Sequence, residues 1–122
     1  MRLLLVFIGG GLGSAFRYLI GLGLNHSDYL TPKGTFLVNV LGSLLIGLLA
    51  GYNLRTMHLN HEYQALLIAG FLGGFTTFSS FAFENIVMLQ NGKTFLFLSY
   101  LLSTIVFGLL AAATGYYLSK YL

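Results

Sequence analysis

Four hydroxyls stand close together in the stretch Gly70–Glu84, which reads Gly-Phe-Leu-Gly-Gly-Phe-Thr-Thr-Phe-Ser-Ser-Phe-Ala-Phe-Glu. They belong to Thr76, Thr77, Ser79 and Ser80, and each can donate and accept a hydrogen bond. Two rings, Phe78 and Phe81, lie three residues apart, so a helix would project both from one face. Their ordinary use is lipid or core contact. The alternative is that their ring edges, the positive part of the aromatic quadrupole, meet a dehydrated anion. Glu84 closes the stretch with a carboxylate. Elsewhere, Asn39 is a lone amide in an apolar run, able to donate two hydrogen bonds to an anion or to tie two helices together. Arg17 is either a side chain that snorkels to a membrane surface beside Tyr18 or a cation at the mouth of an anion route. Tyr100, Ser103 and Thr104 form a short polar stripe near the end of the chain.

These groups need elements to hold them, and the composition says which. Of 122 residues 57% are hydrophobic and only 7% charged, with a mean hydropathy of +0.83. A soluble domain carries about 25% charged residues, so this chain belongs in a membrane. Four apolar runs, Leu3–Leu24, Gly34–Leu54, Tyr63–Leu89 and Phe95–Leu118, are each long enough to cross roughly 30 Å of hydrocarbon as a helix. The first run is long, lacks a clear small-residue cleavage site and is followed by further spans, so it reads as a retained helix and not a signal peptide. The connections are short, and the expected architecture is one all-α domain of four transmembrane helices over residues 1–122.

The hydroxyl cluster then falls at mid-membrane, since Thr76 is the midpoint of Tyr63–Leu89. Gly73-Gly74 relaxes side-chain restraint, and Thr76-Thr77 offers hydroxyls to backbone groups that a broken helix leaves unpaired. Irregular backbone survives at that depth only where protein buries it or where it lines a pathway. A glycine-rich packing face would account for the glycines but not for the polar cluster behind them. The third helix is therefore expected to break there, as helices do at membrane ion and substrate sites. Small residues recur on the other spans: Gly9 and Gly13; Gly42, Gly47 and Gly51; Gly108, Ala111, Ala112 and Gly115. Each set permits close helix approach.

Several chemistries are poorly served. There is no cysteine, and His26, His58 and His61 lie in or beside loops without a matched ligand set. No phosphate-binding loop or dinucleotide fingerprint is present. Asp28 is the only aspartate and sits in a loop, which leaves intramembrane proteolysis without its pair. The chain does not read as an enzyme, and its +3 net charge is too scattered for nucleic acid.

Charge placement bears on orientation. With four crossings, Arg2, Arg55 and Lys120 share one side and Lys33 and Lys93 the other. That bias is too slight for the positive-inside rule to fix a direction. It points to insertion both ways and an antiparallel, dual-topology homodimer, the geometry that larger transporters reach with fused inverted repeats.

At this point the residues resemble the CrcB, or Fluc, family of fluoride channels, across essentially the whole chain. Gly9-Gly10, Gly13-Ser14 and Arg17-Tyr18 are similar to the family's first-helix signature, with Ser14 where alanine is common. Gly34-Thr35, Val38-Asn39 and Gly42-Ser43 resemble its second, with Leu44 where an aromatic is frequent. Gly70, Gly73-Gly74-Phe75-Thr76-Thr77-Phe78 and Ser79-Ser80-Phe81 resemble its most specific motif. The resemblance implies an antiparallel dimer with two pores in the cell membrane (the inner membrane of a Gram-negative cell) that exports toxic fluoride passively. It implies a fluoride route along Asn39, Phe78 and Phe81, with Thr77, Ser79, Ser80, Ser103 and Thr104 adding polar groups and Arg17 near its mouth. It also implies a structural, untransported sodium ion held at the dimer centre by the main-chain carbonyls of Gly73 and Thr76. Fluoride is small and strongly hydrated, so a selective pore must replace water with donors and positive edges, none of which carries a full charge that would trap the ion. One rival is a small proton-coupled multidrug transporter, which would hold a carboxylate in its first helix where this chain has Arg17. The other is a structural membrane subunit, which has no need of the Thr-Thr-Phe-Ser-Ser-Phe cluster.

Overall fold

Residues 1–24, 30–56 and 60–122 are described by the computed structural model. His26, Asp28 and His58 lie outside them. The described residues form helices and connecting turns, with four segments long and apolar enough to span a membrane. Helix α1 runs Arg2–Leu24 and α2 Lys33–Thr56. The third span is composite: a short α3 (His61–Tyr63), a π-helix (Gln64–Leu72), a further α-helical turn α4 (Gly73–Phe75), an extended pair, and then α5 (Phe78–Gln90). Helix α6 (Thr94–Leu118) completes the bundle and tightens into a 3₁₀ turn, Ser119–Tyr121.

Local sequence explains the ends. The Asn60 side chain accepts from the Glu62 and Tyr63 N–H groups and so starts the third span. Asn91-Gly92 reverses the chain between α5 and α6, with Gly92 at φ +69°, a conformation that glycine adopts without strain. The π-helical stretch was not foreseen from the pattern. At its end the Gly73 N–H reaches Ile68 O, five residues back, the spacing of the nine-residue π-helix before it.

Helix α1 packs mainly on the π-helix, and α2 mainly on α6. Both contacts depend on glycine. A Cβ on Gly9 or Gly13 would run into the backbone carbonyls of Leu66 and Phe71, and one on Gly115 into that of Leu44. The helices therefore touch backbone to backbone, which is where van der Waals packing in a bilayer is gained. The fully buried interior is small, centred on Phe81, Met88 and Tyr100. Large apolar side chains such as Phe7, Leu19, Phe95 and Leu109 face outward. In lipid such exposure carries no penalty, because the solvent is as apolar as they are.

The break is real but differs from the expected one. Gly73 has helical dihedrals (φ −62°, ψ −36°), and the extended residues are Thr76 (φ −81°, ψ 158°) and Thr77 (φ −150°, ψ 117°). Gly74 serves packing instead, while an added Cβ on Gly73 would meet nothing closer than Ile68 O at 4.0 Å. A Cβ on Gly74 would meet Gly10 O and lie 3.0 Å from the Ser14 hydroxyl, which approaches the Gly74 carbonyl at 3.4 Å. What ends the helix is the competition for the Thr77 peptide described next.

Candidate functional site

Asn39 holds the break. Its Oδ1 accepts from the Thr77 N–H at 2.8 Å, and its Nδ2 donates to the Thr77 carbonyl at 3.1 Å. One side-chain amide thus pairs with both main-chain polar groups of one residue, as a neighbouring strand would. In a continuous helix the Thr77 N–H would go to the Gly73 carbonyl four residues back; here it goes to Asn39. The Thr76 N–H and hydroxyl both bond Leu72 O, at 3.1 and 2.9 Å, and finish the upstream helix.

Thr77 then starts the downstream helix. Its buried hydroxyl accepts the Ser80 N–H at 3.2 Å, an N-cap. The Ser79 and Ser80 hydroxyls lie at 3.2 Å from the same oxygen. The four hydroxyls noticed in the sequence thus divide, one finishing a helix and three gathering at the start of the next.

Thr77 also stands between two cavities. The first, about 600 Å³ and open-sided, is lined by Asn39, Ser43, Thr76, Phe78, Phe81 and Thr104, among others. Gly73 lines it as well. The second, about 620 Å³, is polar and is lined by Ser14, Arg17, Thr35, Ser80 and Glu84, with Thr77 common to both. Arg17 therefore borders a partly open polar space that it shares with Thr35 and Glu84.

The aromatic pair is split. Phe81 is buried in the core and sits edge-on to Tyr100, with centroids 5.2 Å apart. Phe78 is 79% exposed and touches Phe81 in a tilted arrangement at 5.9 Å. Thr104 Oγ1 is buried without a hydrogen-bond partner, on the cavity that Asn39 lines. Ser103 turns elsewhere: its hydroxyl bonds Tyr100 O at 3.2 Å and borders a separate apolar slot. Ser79 is exposed and lines neither of the two cavities. The structure thus groups Asn39, Thr77, Phe78, Phe81 and Thr104 on one cavity, places Arg17 and Ser80 on its neighbour, and leaves Ser103 and Ser79 outside both.

Glu84 is the group whose environment the sequence did not disclose. It is buried, with Thr35 donating to Oε1 at 2.6 Å and Tyr100 to Oε2 at 2.8 Å. Two helices besides its own supply those donors. An acid inside a span demands such partners, yet one sequence does not say which hydroxyls on which helices meet it.

Fold and site together define a small multi-pass membrane protein whose polar interior is built around an interrupted third span. Residues 4–116 match the model of the CrcB-like protein, Camphor Resistance (CrcB) family, and the chain belongs to that family. It is similar to proteins named fluoride-specific ion channel FluC: 43% identical to that of Gloeothece citriformis, covering 98% of each chain. The corresponding protein of Phocaeicola vulgatus is 39% identical over 97% of this chain and 98% of its own. That of Rhizobium meliloti is 43% identical over 93% and 92%.

Proposed function

We propose that this chain is a fluoride-specific channel of the cell membrane, one that lets fluoride leave the cell passively and performs no enzymatic chemistry. The observation that carries the reading is one open-sided cavity lined by Asn39, Thr77, Phe78 and Phe81, which brings together neutral donors and ring edges with no full charge among them. Asn39 spends one amide hydrogen on the Thr77 carbonyl and keeps a second donor for the ion. The rings of Phe78 and Phe81 would add positive edges. Arg17, bordering the adjoining polar cavity, would draw anions in without sitting where it would trap them; Thr77 lines both spaces and Ser80 the second. Ser79, Ser103 and the Glu84 carboxylate have no assigned contact with the ion in this reading.

The open side of the first cavity, where Phe78 is exposed, suits a second copy of the chain, and the near-even charge on the two ends suits an antiparallel one. Pairing would bring the two interruptions together at the two-fold axis. The Gly73 carbonyl, released by the diversion of the Thr77 N–H to Asn39, fits a structural sodium ion, as does the extended Thr76; the donors are neutral oxygens, which suit a monovalent cation better than calcium or magnesium. Bound there, sodium would neutralise the partial negative charge at the ends of the two upstream half-helices.

Fluoride efflux from liposomes containing only this protein, followed with a fluoride electrode and repeated with chloride, tests the proposal. Rapid fluoride release without chloride release is the expected result. Release no faster than from protein-free liposomes, or equal release of both ions, overturns it.

A further inference from the structure

We propose that the chain carries an anionic-phospholipid site, distinct from the ion pathway, in the slot between the start of α2, the end of α5 and the start of α6. The slot is about 620 Å³ and lined by Leu30, Phe36, Leu37, Met88 and Leu96, with Tyr100 on one wall. It accepts hydrocarbon. Its rim is cationic. Lys33, the first residue of α2, lines the slot and is exposed. Lys93 is exposed in the turn before α6, and its backbone N–H bonds the carbonyl of Met88, a residue of the slot, at 2.9 Å, which anchors the main chain of a second lysine close to the slot. Among the described residues no carboxylate lines it. Lysines at the ends of spans extend to the membrane surface, where lipid phosphates lie. An acyl chain in the slot and a phosphate at Lys33 and Lys93 match both features with one molecule.

A second copy of the chain is a poorer occupant. In parallel it would bring another Lys33 and Lys93 with one Asp28 to this level, and antiparallel it would bring Arg2, Arg55 and Lys120 with one Glu62. Either meeting sets net positive charge against these lysines. Occupancy has a consequence for the interior, because the Tyr100 that walls the slot donates its hydroxyl to Glu84. A lipid chain would back the ring that holds that carboxylate.

The chain contains no tryptophan, so Leu96→Trp gives a single fluorescent reporter in the slot. Its quenching is measured in vesicles containing phosphatidylglycerol or phosphatidylcholine with brominated acyl chains. Half-maximal quenching is expected at about thirtyfold lower mole fraction of phosphatidylglycerol, the combined effect that two lysines exert at an anionic surface. Adding Lys33→Gln and Lys93→Gln should remove that preference. Equal quenching by both lipids overturns the site and leaves ordinary lipid contact. Absence of quenching by either also overturns it and shows the slot covered by protein. Leu37→Trp, on the α2 wall, gives the same reading if the first reporter fails to reconstitute. No ion flux enters the measurement, so the result stands apart from the fluoride proposal.

Discussion

The two halves of the third span share a helix axis in the sequence pattern and little else in the structure. The upstream half, through the π-helix and Gly73–Phe75, is apolar and rests on α1 through backbone contact at Gly9, Gly13 and Gly74. The downstream half carries Thr77, Ser80, Phe81 and Glu84 and meets α2 and α6 through side chains. One half is a support held by the absence of side chains; the other is where polar chemistry is placed. The seam between them is two extended threonines, held by an amide from a different helix. Putting the seam there lets the support stay rigid while the polar half is capped, aimed and solvated by protein groups.

The largest effect is expected in the support. Gly13→Val puts a side chain into the Phe71 carbonyl, and a backbone atom has nowhere to move. We expect a loss of about 3 kcal/mol or more, read as unfolding at lower denaturant in detergent, with flux lost alongside. Gly11→Ala is the control, since nothing lies within 4 Å of its added carbon. Equal behaviour of the two variants would erase the distinction between halves.

Next comes the seam. Asn39→Asp keeps size but sets an acceptor against the Thr77 carbonyl, at about 1–3 kcal/mol for the group left unpaired. Fluoride flux in liposomes should collapse through lost donation and repulsion. Normal conduction by Asn39→Asp would leave the residue as a clamp and nothing more.

The rings separate stability from conduction. Phe81→Ile removes an edge contact with Tyr100 worth about 0.5–1.5 kcal/mol, whereas Phe78→Ile leaves the subunit's stability nearly unchanged because that ring is exposed. Both should lower fluoride flux sharply with assembly retained. Normal flux in both variants would return the rings to packing alone.

The smallest change is expected from Thr76→Ser. The hydroxyl bond to Leu72 O can survive, and only a methyl beside Gly42 is lost, at about 1 kcal/mol or less. Sodium at the proposed axial site should be unaffected, because main-chain oxygens would hold it. A structure of the variant in sodium lacking a density seen at the axis in the parent would assign the side chain a ligand role.

Four spans, their short connections and an interruption near Thr76 were legible in the sequence, because bilayer thickness dictates helix length and hydroxyls clustered at mid-membrane demand a reason. The polar residues that bear on the site were legible too, as types. Their partners were not. Gly73-Gly74 reads as a helix breaker, yet both residues are helical, since glycine only permits a break and the peptide of Thr77 is drawn away by Asn39, 38 residues earlier. Phe78 and Phe81 share a helical spacing, yet one is buried and one exposed, because burial depends on what lies opposite. Ser103 and Thr104 are neighbours in sequence and face different cavities, since adjacent helical residues point about 100° apart. Hydrophobic length and residue chemistry act locally and so are written in the chain; hydrogen-bond choice and burial are decided between helices, by which donor reaches which acceptor once the glycines have let the backbones meet.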